Sequence, residues 1–232
     1  MIELLQFKPA FGLMNASPFC MKVEVFLRLA GLEYRCINDA LPMRTPKGKL
    51  PVIRDGGELV ADSQAIVEHL QRRCASQLPA LLRAPETGTQ LATRRMLEEH
   101  TYFTALWLRW IDDTGWQATG PAFFGHLPWP LRSVLPALVR RKMRRDLHGQ
   151  GMGRHSRDEI CARALVDLQA LVDLLAFRPY FGGDEPAAID ATTYAFLANL
   201  LWAPIDNPVR AKALQMPSLL GYCQRMEARI GR

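Results

Sequence analysis

The stretch NASPFCMKVEVFLRLAGL, residues 15–32, decides how the rest of the chain is read. Its apolar positions Phe19, Val23, Phe26, Leu27 and Ala30 recur at helical spacing, and Gly31 stands where a left-handed cap ends a helix. Ser17 suits the N-cap, Pro18 the first helical position, where its missing N–H costs nothing, and Cys20 the third. SPFC would be a dithiol redox motif if its first residue were Cys. As it stands, a hydroxyl occupies the positive end of a helix, either as a plain cap or as a group presented to a ligand.

Outward from this helix, residues 2–7 read as a strand, residues 34–37 as a second, and residues 52–54 and 58–61 as a pair joined by the turn DGG at 55–57. DSQAIVEHLQRR, residues 62–73, is an amphipathic helix. The order βαβ followed by ββα predicts a small sheet with helices packed on it. Beyond Pro79 the periodicity is helical over residues 86–113, 157–177, 188–202 and 217–230, with no convincing strand between them. The prolines and glycine of QLPALLRAPETG, residues 77–88, suit a linker. We therefore expect an α+β chain of two units, residues 1–77 and an all-helical unit over residues 86–232.

Two further local motifs accompany SPFC. In GKLPVI, residues 48–53, Pro51 immediately precedes a strand. It is either an edge-strand proline or a cis proline that leaves the backbone of Val52 open to pair with an extended peptide. Asp62 and Ser63 open a helix directly after a strand. Free N–H groups there attract an anion while the carboxylate accepts from an ammonium, so one short element can grip the end of an α-amino acid, or it can be a cap and no more.

Composition narrows the function classes. The chain has 232 residues, of which 49% are hydrophobic and 22% charged, enough to bury a substantial core. No apolar run reaches the ~18 residues of a membrane span, and MIELLQF lacks the basic stretch and cleavage site of a secretory signal, so we expect a cytoplasmic protein. Five cysteines without a CxxC pair suit neither a disulfide framework nor a zinc site, and no metal is expected. His100 in EEH lacks the second histidine of a metalloprotease helix.

Together SPFC, LPVI and DS, followed by a helical half, resemble the glutathione transferase family, which has a thioredoxin-like N-terminal domain and an all-α C-terminal domain. The resemblance covers nearly the whole chain. It implies that Ser17 faces the glutathione thiol, that Val52 after Pro51 pairs with the cysteinyl backbone, and that Asp62 and Ser63 hold the γ-glutamyl end. It also implies a small electrophilic co-substrate. A narrower resemblance, to the failed axon connections and metaxin branch, is carried by SPFCMKVEVFLRLAG, MLEEHTYF, LHGQGMGRHSRDEI and IDATTYAFLANLLW. Members of that branch often lack the acid and serine of the glutathione signature, whereas this chain keeps both. It departs from the wider family at Ala187, where a Ser or Thr usually caps a core helix three residues before the equivalent of Asp190.

We expect Ser17 to stabilise the glutathione thiolate by hydrogen bonding, with no nearby base. The rival is a thiol reductase working through Cys20, which otherwise packs as a small apolar residue. Tyr102, Phe103, Leu106 and Trp107 are candidates for the acceptor pocket, although their spacing equally suits core. Residues 128–157 hold eight basic side chains against Asp146, so this segment carries +7 of a net +6 and the remainder −1. Its prolines restrict the expected helix to the part after Pro136. The segment is read as a solvated face, as a peripheral membrane contact through residues 137–157, or as arginines recruiting anionic electrophiles at the site mouth; nucleic acid is not expected. The remaining alternative is a noncatalytic adaptor of the failed axon connections or metaxin kind. We expect the chain to form a homodimer.

Overall fold

The computed structural model describes residues 1–231. Strands β1 (Ile2–Leu5), β2 (Tyr34–Ile37), β3 (Val52–Asp55) and β4 (Glu58–Ala61) form one mixed sheet in the order β2-β1-β3-β4. β1 runs parallel to β2 and antiparallel to β3, which turns back on β4. The register sets Val52 between Leu5 and Ala61. Helix α1 (Pro18–Leu29) is the crossover between the parallel strands, and α2 (Ser63–Arg73) follows β4. This is the small sheet with packed helices anticipated from the βαβ and ββα order, and the thioredoxin-like half that the family resemblance implied.

The rest is helical: α3 (Ala80–Arg83), α4 (Gly88–Met96), a π-helical turn (Leu97–Thr101), α5 (Tyr102–Trp110), α6 (Asp113–Phe124), α7 (Leu131–Gln150), α8 (Arg157–Leu175), α9 (Ala188–Leu201), α10 (Pro208–Ala213) and α11 (Pro217–Ile230). α1 packs along α9, and one buried cluster runs from Leu4, Phe26 and Ile66 of the sheet layer to Leu97, Leu171 and Leu197 of the helical layer. Removing each such side chain from water contributes about 1.5–3 kcal/mol, so the two halves stabilise each other. No helix among the described residues is long and apolar enough to cross a membrane.

Several elements differ from expectation, among them α10, which was not anticipated. The linker contains α3, whose Leu82 is buried in the common core. Helix α6, which holds Gly115, Gly120 and Pro121, lies beyond the helical periodicity read over residues 86–113 and was not anticipated. Gly115 is the point where α6 crosses α5: a Cβ there would lie 1.9 Å from the Leu108 carbonyl oxygen. Finally, α7 starts at Leu131 and runs through Pro136, which corrects the expectation that the helix begins after that proline. An interior proline deprives the carbonyl four residues earlier of its donor. Here that residue is the exposed Arg132, whose carbonyl water can satisfy.

At the start of α9 the missing hydroxyl at Ala187 is offset by Asp190. Its carboxylate accepts from the backbone N–H groups of Phe181 at 2.7 Å, Gly182 at 2.8 Å and Ala187 at 2.9 Å, which closes the preceding loop onto the helix. Burial pushes its carboxyl up to about 6, against the pull of these bonds in the other direction. His100 is also structural: it and Thr101 both bond the buried Asp167, tying the π-helical turn to α8.

Candidate functional site

Ser17 is the N-cap of α1, with extended backbone and an Oγ that accepts from the Cys20 N–H at a long 3.4 Å. Its own N–H donates to Asn15 Oδ1 at 3.0 Å, and Asn15 Nδ2 donates to the Phe7 carbonyl at 2.7 Å, so the loop before the helix is pinned to the end of the sheet. The Leu50–Pro51 peptide bond is cis. Asp62 caps α2: Oδ1 accepts from the N–H groups of Gln64 at 3.0 Å and Ala65 at 3.1 Å, which leaves Oδ2 without a protein partner. Asp62 adopts φ +93°, a conformation that costs a non-glycine residue about 1–3 kcal/mol and recurs at binding sites.

These elements converge. Ser17, Pro51, Asp62 and Ser63 line one cleft of about 720 Å³ between the sheet layer and the helical layer. Tyr102, Phe103 and Met143 face them across it, and Phe19 continues the aromatic wall, its ring 4.9 Å from that of Tyr102. Val52 adjoins Pro51 but does not itself line the cleft, and its side chain is buried. Leu106 and Trp107 do not line the cleft; they pack against Leu147, Met152 and Ile160 under α7 and α8. Helical spacing identified the apolar residues of α5 without telling which face meets the cleft.

Cys20 is fully buried with Leu50, Val52 and Ala61. Burial pushes its thiol up to about 12, so it stays protonated near neutral pH and takes a packing role rather than an attacking one. Beside the cleft the two layers are joined by buried charges. Lys22 Nζ donates to Glu98 at 2.7 Å and to Gln64 at 2.8 Å, and Arg94 bridges Glu98 at 3.2 Å and Glu86 at 2.8 Å. Burial pulls the Lys22 ammonium below the usual lysine range and Glu98 opposes this. The π-helical turn, an irregularity frequent at functional sites, carries Glu98 to this position. Lys47, Lys49, Gln64 and Arg94 also line the cleft and were not singled out from the sequence. A lysine within the apolar run CMKVEVF was the available signal for Lys22.

The basic segment is only partly free. Arg140 bonds the carbonyls of Trp110 at 3.1 Å and Ile111 at 2.8 Å and the Asp113 carboxylate at 2.7 Å. Lys142 pairs with Asp146, and Arg157 with Asp112 at 2.6 Å. Among the described residues no group of His, Cys, Asp and Glu side chains is arranged to hold a metal ion.

A thioredoxin-like layer, an all-helical layer and a cleft between them entered by a helix-capping serine define the architecture of glutathione transferases. Residues 18–115 match the family model of the glutathione S-transferase N-terminal domain and residues 164–226 that of the C-terminal domain. The chain is 32% identical to an isoprene-epoxide–glutathione S-transferase of Rhodococcus sp., over 97% of this chain and 98% of that one. It is 32% identical to failed axon connections of Drosophila melanogaster, over 97% of this chain but 57% of that protein, and 24% identical to human metaxin-2, over 93% of this chain and 82% of that one. A glutathione transferase family member from Pseudomonas fluorescens, solved with two glutathione molecules bound, superposes with a TM-score of 0.62 at 16% identity, covering 99% of this chain and 90% of that one. The chain belongs to the glutathione S-transferase family, in which failed axon connections and the metaxins are among its relatives.

Proposed function

We propose that the protein binds glutathione and activates its thiol for transfer to a small electrophile. The convergence of Ser17, Pro51, Asp62 and Ser63 on one cleft carries this reading. The Ser17 oxygen already accepts from Cys20, so its proton is available to donate to a sulfur at the positive end of α1. A free thiol with a pKa near ~8.5 is mostly protonated at neutral pH, and each unit of lowering corresponds to ~1.36 kcal/mol. The backbone at Val52 would pair with the cysteinyl unit, and the open Oδ2 of Asp62 would accept from the γ-glutamyl ammonium while the N-terminus of α2, with Ser63, meets its carboxylate. Cys20 does not serve a reductase in this reading, because its thiol is buried and protonated.

Small epoxides are the first electrophiles to test, from the likeness to the Rhodococcus enzyme. The thiolate attacks a ring carbon, a C–S bond forms, the ring C–O bond breaks, and the resulting alkoxide takes up a proton. Tyr102 and Phe103 form the apolar wall against which such a molecule would lie. A homodimer in the cytoplasm is part of the proposal, and light scattering on the purified protein reads its oligomeric half. Calorimetry tests the central claim: glutathione should give heat with the wild type, and Asp62→Ala should weaken binding about tenfold. No heat with the wild type would end the transferase reading.

A second reading is a noncatalytic adaptor at a membrane surface. It is favoured by Trp129, Leu131, Val134 and Leu138, all exposed along the start of α7, with exposed Arg141 and Arg144 further along the helix. Flotation with anionic liposomes should capture the wild type and lose the double variant Arg141→Ala, Arg144→Ala; equal partitioning would count against it.

A further inference from the structure

Arg109, on α5, places its guanidinium beneath the loop that presents Ser17. Nη1 donates to the Ala16 carbonyl at 2.5 Å, and Nη2 donates to Asn199 Oδ1 at 3.1 Å and to the Asn199 carbonyl at 3.4 Å. The Phe11 ring lies 5.6 Å from the guanidinium carbon. Asn199 in turn donates from Nδ2 to the Asn15 carbonyl at 3.2 Å, and Asn15 accepts from the Ser17 N–H at 3.0 Å. Two successive residues before the cap, Asn15 and Ala16, are thus held from the helical layer, and Ser17 is held through Asn15.

Every one of these partners is neutral. The buried cations among the described residues have carboxylates: Lys22 has Glu98, and Arg94 has Glu86 and Glu98, whereas the half-buried Arg109 has only neutral partners. Arg109 has no carboxylate within ion-pair distance among the described residues, although a desolvated charge normally requires a partner. Burial lowers its pKa to about 10, which leaves it charged at neutral pH. The cation thus sits on the carbonyl of the residue immediately before Ser17, behind the wall of the cleft rather than in its lining. The titratable group facing Arg109 is Tyr102, held neutral because burial raises its pKa; beneath Ser17, Cys20 is protonated as well. Glu98, on the same cleft wall, is already paired with Lys22 and Arg94. Asp62, Glu68 and Glu99 line the cleft as well, Glu68 bonded to Gln64 and Glu99 paired with Arg95, and none of these carboxylates bonds Arg109.

We infer that Arg109 is a positioning residue for the thiol site: its fork fixes the loop that presents Ser17, and its unpaired charge favours an anionic sulfur over a neutral one in the ligand bound there. The inference rests on the glutathione reading and adds a requirement to it. The site should discriminate glutathione thiolate from the neutral thioether S-methylglutathione, and Arg109 should be the source of much of that discrimination. An uncompensated cation behind the cap should shift the thiol by about one unit, a tenfold change in thiolate at a fixed pH below the pKa.

The test is the ultraviolet thiolate absorbance of bound glutathione against pH, with calorimetric affinities for glutathione and S-methylglutathione measured in parallel. Arg109→Gln keeps a donor of similar reach and removes the charge; it should raise the bound thiol's pKa by about one unit and weaken glutathione about tenfold near pH 8, with S-methylglutathione changed less than twofold. Arg109→Lys should restore most of the wild-type titration, which a merely structural role would not require. A Gln variant that binds glutathione and titrates like the wild type overturns the inference and leaves the glutathione reading standing. Wild type without glutathione heat removes both. Where Arg109→Gln does not fold, Arg109→Lys decides: it keeps the charge and loses the planar fork, so a bound thiol titrating as in the wild type supports the field from this residue and one returned to the free value overturns it.

Discussion

The two helix starts at Ser17 and Asp190 look alike in sequence and do opposite work. At the start of α9 the Asp190 carboxylate is buried and receives three backbone N–H bonds of 2.7 to 2.9 Å, so its capacity is taken up within the protein. At the start of α1 the Ser17 hydroxyl receives one bond of 3.4 Å and opens on the cleft. Capacity used up inside the protein stabilises the fold; capacity left over can act on something else. The same contrast holds within Asp62, where Oδ1 caps α2 and Oδ2 is free.

The largest effect should come from the filled end. Asp190→Ala strands the N–H groups of Phe181, Gly182 and Ala187, and an unsatisfied buried donor costs about 1–3 kcal/mol, so denaturant unfolding should show a loss of about 3 kcal/mol or more. The folded fraction should bind glutathione as the wild type does. If binding falls in step with stability, the two helix ends are coupled and the contrast fails.

Titration sharpens it. Burial raises the Asp190 carboxyl to about 6 from 3.8, so between those values the folded state holds a proton that the unfolded chain has released. The resulting contribution is complete below about 3.8 and is lost as pH rises through about 6. Two units correspond to about 3 kcal/mol, so wild-type stability measured against that of Asp190→Asn should decline by up to this amount between pH 4 and 7. A flat difference would mean that the three N–H bonds outweigh burial and hold the carboxyl low.

What the sequence disclosed follows the same division. Strands at residues 34–37 and 58–61 and the caps at Ser17 and Asp62 depend on neighbours a few residues away, and local spacing carries them; that SPFC, LPVI and DS share one cleft was implied by the family resemblance and not by spacing. What stayed hidden depends on distant partners. Gly115 is a breaker until α5 is seen against it, Lys22 meets Glu98 across 76 residues, and Arg109 reaches Asn199 across 90. The apolar spacing of α5 suited core and pocket equally, so it could not separate Tyr102 and Phe103, which face the cleft, from Leu106 and Trp107, which do not.

At the open end the expected effects on stability and on chemistry part company. Ser17→Ala removes a weak cap and should cost about 0.5–1 kcal/mol of stability, while conjugation to an epoxide at neutral pH should fall about tenfold as the bound thiol loses one hydrogen bond. Cys20→Ala should do the reverse, shrinking a buried side chain at the cost of about 1 kcal/mol and leaving conjugation within twofold. Loss of activity only in the cysteine variant would return the reductase mechanism to first place.

The smallest change asks whether the filled end is completely filled. Ala187 stands at the N-cap of α9, where a side-chain oxygen would normally accept from the third helical N–H; here that donor, on Asp190, bonds the Ala187 carbonyl at 3.0 Å. Ala187→Ser would offer it a better acceptor, and caps of this kind contribute ~1 kcal/mol. Because the site is buried and the added oxygen must fit beside Gly182, a gain of about 0.5 kcal/mol in denaturant midpoint analysis is expected, with glutathione affinity unchanged. A loss of stability would show that Asp190 already satisfies this end as far as the packing allows, which places it further still from the open serine of α1.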